Sequence, residues 1–463
     1  MDHMKQVLHG GSVVSGSGAC LADLLIDGEK IAAVGRPDVI QQMAGPEAGF
    51  TDVTGCLLLP GFIDAHTHFD LSVAGTVTAD DFASGTKAAL KGGTTTVIDF
   101  ATQYRGETLQ QGLANWHGKA DGKCSCDYGF HMSISEWNDA VSQEIDDMMR
   151  AGVTSFKLYL TYDTMVDDKA VFEILCRLKE VGGIAGVHCE NDGLIAALRD
   201  RAVAAGRMGV ASHPATRPAA AEAEAIDRLL RLAQVADAPV IIVHLTCREG
   251  YDVIEMARQR GQQVYAETCP QYLLLDRQVY ETPGFAGAKY VCAPPLRTVA
   301  DQEQLWQGLA AGTVQTVSTD HCSFTWQQRQ LGRDDFRKIP GGLPGVETRG
   351  LLLYTYGVAA GRLSLARYCQ ALSENPARLY GLYPRKGVLA PGSDADIVVL
   401  RPGVDGTITA KGQLQRVDYS PYEGFKTAAA IEQVYLRGTK AVDDGAVVAE
   451  RQGMYIPRGK YSL

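Results

Sequence analysis

What this chain lacks narrows its role before any motif is read. Its start, MDHMKQVLHGGSVVSG, has no apolar core of a signal peptide, and no stretch reaches about 18 apolar residues free of charge. The expectation is therefore a soluble cytoplasmic protein with no membrane partner. No block of Lys or Arg stands out among 54 acidic and 44 basic residues, and the formal net charge is -10. A nucleic-acid partner, which wants a concentrated positive footprint, is excluded on the same ground. There is no GxxxxGK[ST] and no strand-borne GxGxxG, so GSGAC and PGVETRG are not phosphate loops. Internal repeats and low-complexity stretches are missing too. The eleven cysteines are scattered and odd in number, which fits reduced thiols better than a disulfide framework. Cys124 and Cys126 are separated by one residue, not the two of a redox or zinc knuckle, and read as buried strand cysteines.

What is present is a large apolar budget: 46% of 463 residues are hydrophobic and 21% charged. That suits one domain of roughly 250 to 330 residues plus something smaller. Residues 1–55 alternate short β-rich runs with Gly and Asp turns: Lys5 to His9, Ser12 to Val14, Ala22 to Ile26, Lys30 to Val34 and Phe50 to Val53. The reading is a small antiparallel sheet. From Cys56 the rhythm changes to LLLPGFIDAHTH, TTTVIDF, CDYGFHMSI, SFKLYL, GIAGVHCE, PVIIVHL, QQVYAE and VQTVST, mostly separated by helix-compatible segments. Eight buried strands alternating with helices are what a closed (β/α)8 barrel of the TIM type requires. Glu222 to Gln234 is plainly helical, and Leu343 to Tyr380 adds more helix after the last strand. The β-rich rhythm resumes at 395–400, 430–438 and 447–455. Residues 1–55 and 386–463 are thus expected to pair into one small domain beside a barrel over 56–385. The 50 glycines fit a barrel that consumes many tight turns.

Chemistry gathers at the strand ends. His66 and His68 close PGFIDAHTH, and residues two apart on a strand face the same way, so both imidazoles can enter one cavity. A pair of ordinary surface or core histidines is the alternative. Lys157 lies inside the apolar strand SFKLYL, where an unpaired ammonium is expensive. Burial lowers a lysine pKa, and the neutral amine can add carbon dioxide to become a carbamate able to bridge two cations. The competing reading is a lysine that snorkels to solvent or pairs with an acid. His188 ends GIAGVHCEN, His244 ends PVIIVHLT and Asp320 ends VQTVSTDH. Each alone could be a cap or a satisfied core group; together they read as a nitrogen and oxygen ligand set for zinc, manganese, cobalt or nickel. Other candidates are weaker. His321 should point away from Asp320's side, His213 reads as a loop residue, His117 as surface and His131 as strand packing. His3 and His9 belong to the small domain. Glu190 and Asp192 read as caps or partners of ligands.

The motifs PGFIDAHTHFD, GTVTADDF, GGTTTVIDF, SFKLYLTY, VHCEND, VHLT, AETCPQYLLLD, KYVCAPPLR, STDHCSF, GLPGVETR, NPARLYGLYPRKG, GSDADIVVL and DYSPYEG resemble the dihydropyrimidinase and hydantoinase branch of the cyclic amidohydrolases. The likeness runs through essentially the whole chain. It implies a barrel with a β-sandwich built from both termini, a homotetramer or homodimer, and two divalent metal ions, with zinc the first expectation. It further implies that His66, His68, Lys157 and Asp320 hold the more buried metal and Lys157, His188 and His244 the more exposed one, with N6-carboxylated Lys157 and a hydroxide bridging them. Asp320 is then the proton shuttle, and Tyr162 the donor to the substrate oxygen. The substrate class implied is a cyclic diamide, a 5,6-dihydropyrimidine or a 5-substituted hydantoin, opened to an N-carbamoyl amino acid.

Two positions depart from the pattern of the branch: Ala293 stands where serine is common, and Gly341 where asparagine is common. Both contacts to the diamide are expected to come mainly from the backbone. Specificity is expected at Leu71, Val73, Tyr159 and Val166 by match, and Val166, smaller than the aromatic of several relatives, suggests room for a larger ring substituent. An allantoinase, a dihydroorotase and a non-catalytic dihydropyrimidinase-related interaction protein are the rival readings. Retention of all six ligand positions argues against the last, and Tyr162 in SFKLYLTY favours readers of an uncharged diamide over dihydroorotase.

Overall fold

A run of apolar strands buried on both faces can close only on itself or under helices, and here it nearly closes on itself. The computed structural model describes residues 5–463. Eight parallel strands follow one another in chain order: β1 Phe62–Thr67, β2 Thr94–Thr102, β3 Asp127–Ser133, β4 Ser155–Tyr159, β5 Ile184–His188, β6 Val240–Ile242, β7 Val264–Thr268 and β8 Thr316–Val317. The ring is completed beyond β8, where Thr67 and His321 form a parallel bridge. The His68 N–H donates to the His321 carbonyl at 2.8 Å, and the His321 N–H to the His66 carbonyl at 3.3 Å. Asp64 reinforces the seam, accepting the Thr319 N–H at 3.0 Å and its hydroxyl at 2.7 Å.

Helices cover the outside. Asp168–Val181 starts where the Asp167 carboxylate accepts the Ala170 N–H and stops at Gly182, whose φ of 77° favours glycine. Ala219–Ala236 extends the helix read over 222–234 and buries Ile226, Leu229 and Leu230 toward the barrel. The region 343–380 is helical as expected, in short segments from Arg349 to Leu379.

The chain's two ends build two further sheets. One has seven strands and includes Ser12–Ser15, Leu57–Pro60, Ile397–Thr407 and Lys426–Leu436; the other has four, among them Gln6–His9 and Asp23–Asp27. Alternation explains how one strand serves two cores. Leu58, Ile397 and Val399 pack with Leu8, Leu24 and Ile26 between the sheets, whereas Leu57, Leu59, Val398 and Leu400 join the core shared with the barrel.

Several details depart from the sequence reading. The amino-terminal segment is not a single antiparallel sheet: Gln6–His9 pairs in parallel with Gly49–Asp52, the helix Pro37–Ala44 intervenes, and Gly18–Leu21 is an additional strand. Leu57–Pro60, read with the barrel from its place in LLLPGFIDAHTH, belongs to the seven-stranded sheet, with β1 starting only after Gly61. Of the run 447–455 only Val447 is in a strand, because the chain then leaves the sheet to cross beneath the barrel. There Arg458 Nη1 donates to Ser155 Oγ at 2.7 Å, and the Tyr265 hydroxyl donates to the Leu463 carbonyl at 2.5 Å. Cys124 and Cys126 are buried but precede β3 rather than lying in it. His3 lies outside the described residues, and among those residues no helix is long and apolar enough to cross a membrane.

A buried lysine joins barrel to sheet. Lys386 meets Asp127 at the start of β3 at 2.8 Å, Asp396 at 2.5 Å and Asp394 at 3.2 Å. Arg437 also pairs with Asp127, and Lys30 and Arg385 with Asp394, so removing this cation leaves Asp396 as the buried carboxylate without a counter-ion, and Lys386→Met is expected to cost about 3–5 kcal/mol in urea denaturation. A change under about 1 kcal/mol would show that Asp396 finds another partner.

Candidate active site

The six residues picked out at strand ends converge on one mouth of the barrel. The rings of His66 and His68 lie 5.2 Å apart, those of His66 and His244 5.4 Å, and those of His244 and His188 4.6 Å, so four imidazoles form a continuous chain. Asp320 Oδ1 is 3.2 Å from His66 Nε2 and 3.1 Å from His68 Nε2. These three residues present ligand atoms within 4.8 Å of one another. Lys157 is buried, which rules out snorkelling; its ammonium lies 5.1 Å from the ring centres of both Phe100 and Tyr159.

The way the strands end aims the side chains. His66, Lys157 and His188 lie within strands, but His244 and Asp320 stand two and three residues beyond the short strands β6 and β8. His244 has a φ of 40° and Asp320 a φ of 52°, so neither can continue an extended chain. Tyr162, five residues after Lys157, has a φ of 75°. Left-handed non-glycine residues cost energy and persist where surrounding structure holds them, often at functional sites.

Electrostatics set the protonation states. Burial, reinforced by the Lys157 cation, holds His66 well below the usual imidazole range, and burial likewise lowers His188 and His244. Neutral imidazole is the form that binds metal. Burial alone would raise Asp320, but His66 and His68 hold it below the ordinary carboxylate value, so it is ionised. Burial lowers Lys157 toward the neutral amine, against the pull of the Asp320 and Glu267 carboxylates, and raises Glu267. Tyr162 is 38% exposed. Desolvation pushes its phenol up, and even an unshifted tyrosine keeps its proton at neutral pH.

The donor set of imidazole nitrogens, a carboxylate and an activatable amine suits a divalent cation of the zinc type. His244 Nδ1 adds a second sign of fit, being buried with no hydrogen-bond partner among the described residues. Around these candidate ligands stand groups that sequence reading did not single out. Glu267, on β7, bonds His66 Nδ1 at 2.7 Å, leaving Nε2 toward Asp320, and accepts the Ser318 hydroxyl at 2.8 Å. Asp99 accepts the Thr67 hydroxyl and the Phe69 N–H, both at 2.9 Å, and fixes the turn carrying His68. An acid inside an apolar strand was the available signal in QVYAE and TVIDF, the same signal that exposed Lys157.

The remaining histidines sort as follows. His321 is buried away from the cluster, 3.1 Å from Asp80, and its Nδ1 receives the Gly345 and Val346 N–H groups. His131 packs within β3 between Ser155 and the Ala65 carbonyl, His117 is half-buried on a surface helix, and His9 pairs with Asp23 in the small sheet. His213 is not in a loop: it lies in the short helix Ser212–Ala215, buried, with Nε2 2.7 Å from the Cys292 carbonyl. Glu190 bonds His188 at 2.8 Å, and Asp192 opens the next helix and accepts the Thr161 hydroxyl.

Tyr162 faces His188 with ring centres 5.1 Å apart, and Tyr159 stands 6.0 Å from the same ring. Leu71 is half-buried, Val73 lies exposed on the hairpin pairing Ser72–Val73 with Thr76–Val77, and Val166 is buried in the main core. The segments of Ala293 and Gly341 are tied by the Gly342 N–H, which donates to the Val291 carbonyl at 2.9 Å. A Cβ at Gly341 would meet open space, so nothing steric demands glycine there.

Comparison with known proteins agrees with this architecture. The model of the amidohydrolase family matches residues 57–441. A D-hydantoinase of Geobacillus stearothermophilus is 42% identical over 463 residues, covering 99% of this chain and 97% of its own. A D-phenylhydantoinase of Escherichia coli O1:K1 / APEC is 42% identical, with 98% of each chain covered. The crystal structure of dihydropyrimidinase from Brevibacillus agri NCHU1002 superposes with a TM-score of 0.97 at 42% identity, over 99% of this chain and 100% of that one.

Proposed function

From its membership of the amidohydrolase family, to which this chain belongs, we propose that the protein opens cyclic diamides by metal-dependent hydrolysis, yielding N-carbamoyl amino acids. The observation that carries this reading is the unbroken chain of four imidazoles beside a buried lysine and an ionised aspartate. His66, His68, Lys157 and Asp320 would hold one divalent cation and Lys157, His188 and His244 the second, with Lys157 carboxylated by carbon dioxide and zinc the expected metal. When bound, the pair of cations polarises the ring carbonyl and acidifies water enough for attack near neutral pH.

The chain's own groups do the rest. Asp320 takes a proton from the attacking water and returns it to the ring nitrogen as the C–N bond breaks. The Tyr162 hydroxyl donates to the carbonyl oxygen as charge develops there, where stabilisation lowers the barrier most. Backbone groups at Ala293 and Gly341 orient the diamide, and Leu71, Val73, Tyr159 and Val166 shape the space for its substituent. Cytoplasmic location and assembly as a homotetramer or homodimer belong to the same proposal; light scattering on the purified protein reads the assembly.

The test is a substrate panel of dihydrouracil, hydantoin, both 5-phenylhydantoin enantiomers, allantoin and dihydroorotate, after loading with zinc or manganese in bicarbonate. Turnover of D-phenylhydantoin or dihydrouracil is expected, and activity should fall when metal is loaded without bicarbonate. Allantoin as the sole substrate would move the assignment to an allantoinase. Silence across the panel with metal bound would remove the substrate class.

A further inference from the structure

One buried cation beside the site has no part in the chemistry above. Arg217 lies between the short helix Ser212–Ala215 and the helix Ala219–Ala236, with 2% of its surface exposed. Its Nη1 donates to Glu190 Oε2, the oxygen that also bonds His188 Nε2 at 2.8 Å. On its other side the guanidinium carbon lies 5.3 Å from the centre of the Tyr162 ring. The Arg217 carbonyl in turn accepts Arg297 Nη1 at 2.5 Å. Arg297 binds Glu222 at 2.9 Å, and Glu222 receives both the N–H and the hydroxyl of Thr246, two residues past His244. One internal network of charges therefore touches both histidine-bearing turns and the tyrosine.

We propose that Arg217 is a positioning residue that couples His188 to Tyr162, fixing the imidazole through Glu190 and the phenol through its ring face. The inference rests on the functional reading above, in which His188 holds metal and Tyr162 serves the carbonyl. With Nε2–H given to Glu190, His188 keeps its Nδ1 lone pair for the cleft, the kind of orientation that partners of metal ligands impose. Glu190 Oε2 is thus shared between two donors, the Arg217 guanidinium and the His188 ring. Tyr162 poses a different problem. Its hydroxyl has to stay free for substrate and its backbone is left-handed, so the ring has to be held by a face, and a planar guanidinium does this. Lysine could keep the charge on Glu190 but has no plane to lay against the ring.

The experiment compares Arg217→Lys and Arg217→Met, each with and without Tyr162→Phe. Zinc per chain is measured by elemental analysis after loading in bicarbonate, alongside kcat and KM for the best substrate of the panel. Arg217→Lys is expected to keep the zinc content of the parent and lose about tenfold in kcat with little change in KM. In the Tyr162→Phe background it should cost less than about twofold, because both changes act through one group. Arg217→Met is expected to weaken one zinc by about 10- to 100-fold. Should that variant fail to fold around an unpaired Glu190, the double variant Glu190→Gln/Arg217→Met carries no stranded charge and is expected to show the same zinc loss. Unchanged zinc binding in the methionine variants, or a lysine effect that multiplies fully with Tyr162→Phe, overturns the proposal. A parent that binds zinc but turns over none of the panel defeats the functional reading alone, since the zinc measurement still decides the role of Arg217. A parent that binds no zinc defeats both.

Discussion

Lys157→Ala is expected to abolish zinc binding and turnover together, lowering kcat by on the order of 10^3-fold or more, several kcal/mol of barrier. The argument comes from burial. Lys157 is buried, and burial lowers its ammonium to about 8, toward the neutral amine, while Asp320 is the one carboxylate of the proposed ligand set. In the proposed site a second anionic group would be needed to offset the charge of two divalent cations, and a carbamate on Lys157 would supply it. Alanine leaves a void about the size of the lost side chain, so a small carboxylate such as propionate, added with zinc, is expected to restore part of both readouts. Zinc binding and turnover at parental levels in Lys157→Ala would remove Lys157 from the site.

Asp320→Asn should separate holding from proton transfer. Asparagine tolerates the left-handed conformation that Asp320 adopts, at a φ of 52°, so the turn beyond β8 is expected to survive. Its carbonyl oxygen can still face the histidines, but it cannot accept a proton and deliver it to a leaving nitrogen. The expected result is a fall in kcat of about 10^2- to 10^4-fold, with thermal melting close to the parent's and most of the zinc retained. A loss below about tenfold would move the proton transfer to another group. The buried Glu267 would then be the next to vary, since burial raises it and it bonds His66 directly.

The eight barrel strands were legible because burial on both faces leaves continuous apolar runs, and the candidate site residues because a charged or polar residue interrupts such a run where it ends. Lys157 in SFKLYL is the clearest instance. What escaped reading depends on partners far away in the chain. Glu267 gains meaning only beside His66, and Arg217 only beside Glu190 and Tyr162. His213 looked like a loop residue because SHPATRP is rich in turn formers, yet its burial is decided by the Cys292 carbonyl. The split of residues 5–55 between two sheets was equally hidden. SVVS buries both of its valines, Val13 in the core between the sheets and Val14 in the core shared with the barrel, and nothing in its pattern says which sheet receives it, while Leu57–Pro60 was assigned by adjacency to β1 when its ladder partners are Ile397–Leu400 and Ser12–Val13.

That last pairing bears on how the protein is made. Leu57–Pro60 leaves the ribosome long before Ile397–Leu400, and at about 5–20 residues per second the wait for the roughly 340 intervening residues is on the order of 20 to 70 s. Throughout that interval an apolar strand has one hydrogen-bonding edge open and neither of its cores complete, a condition that invites pairing with another nascent chain. Yield in a host should therefore respond to growth temperature and chaperone supply even for variants whose finished form is as stable as the parent.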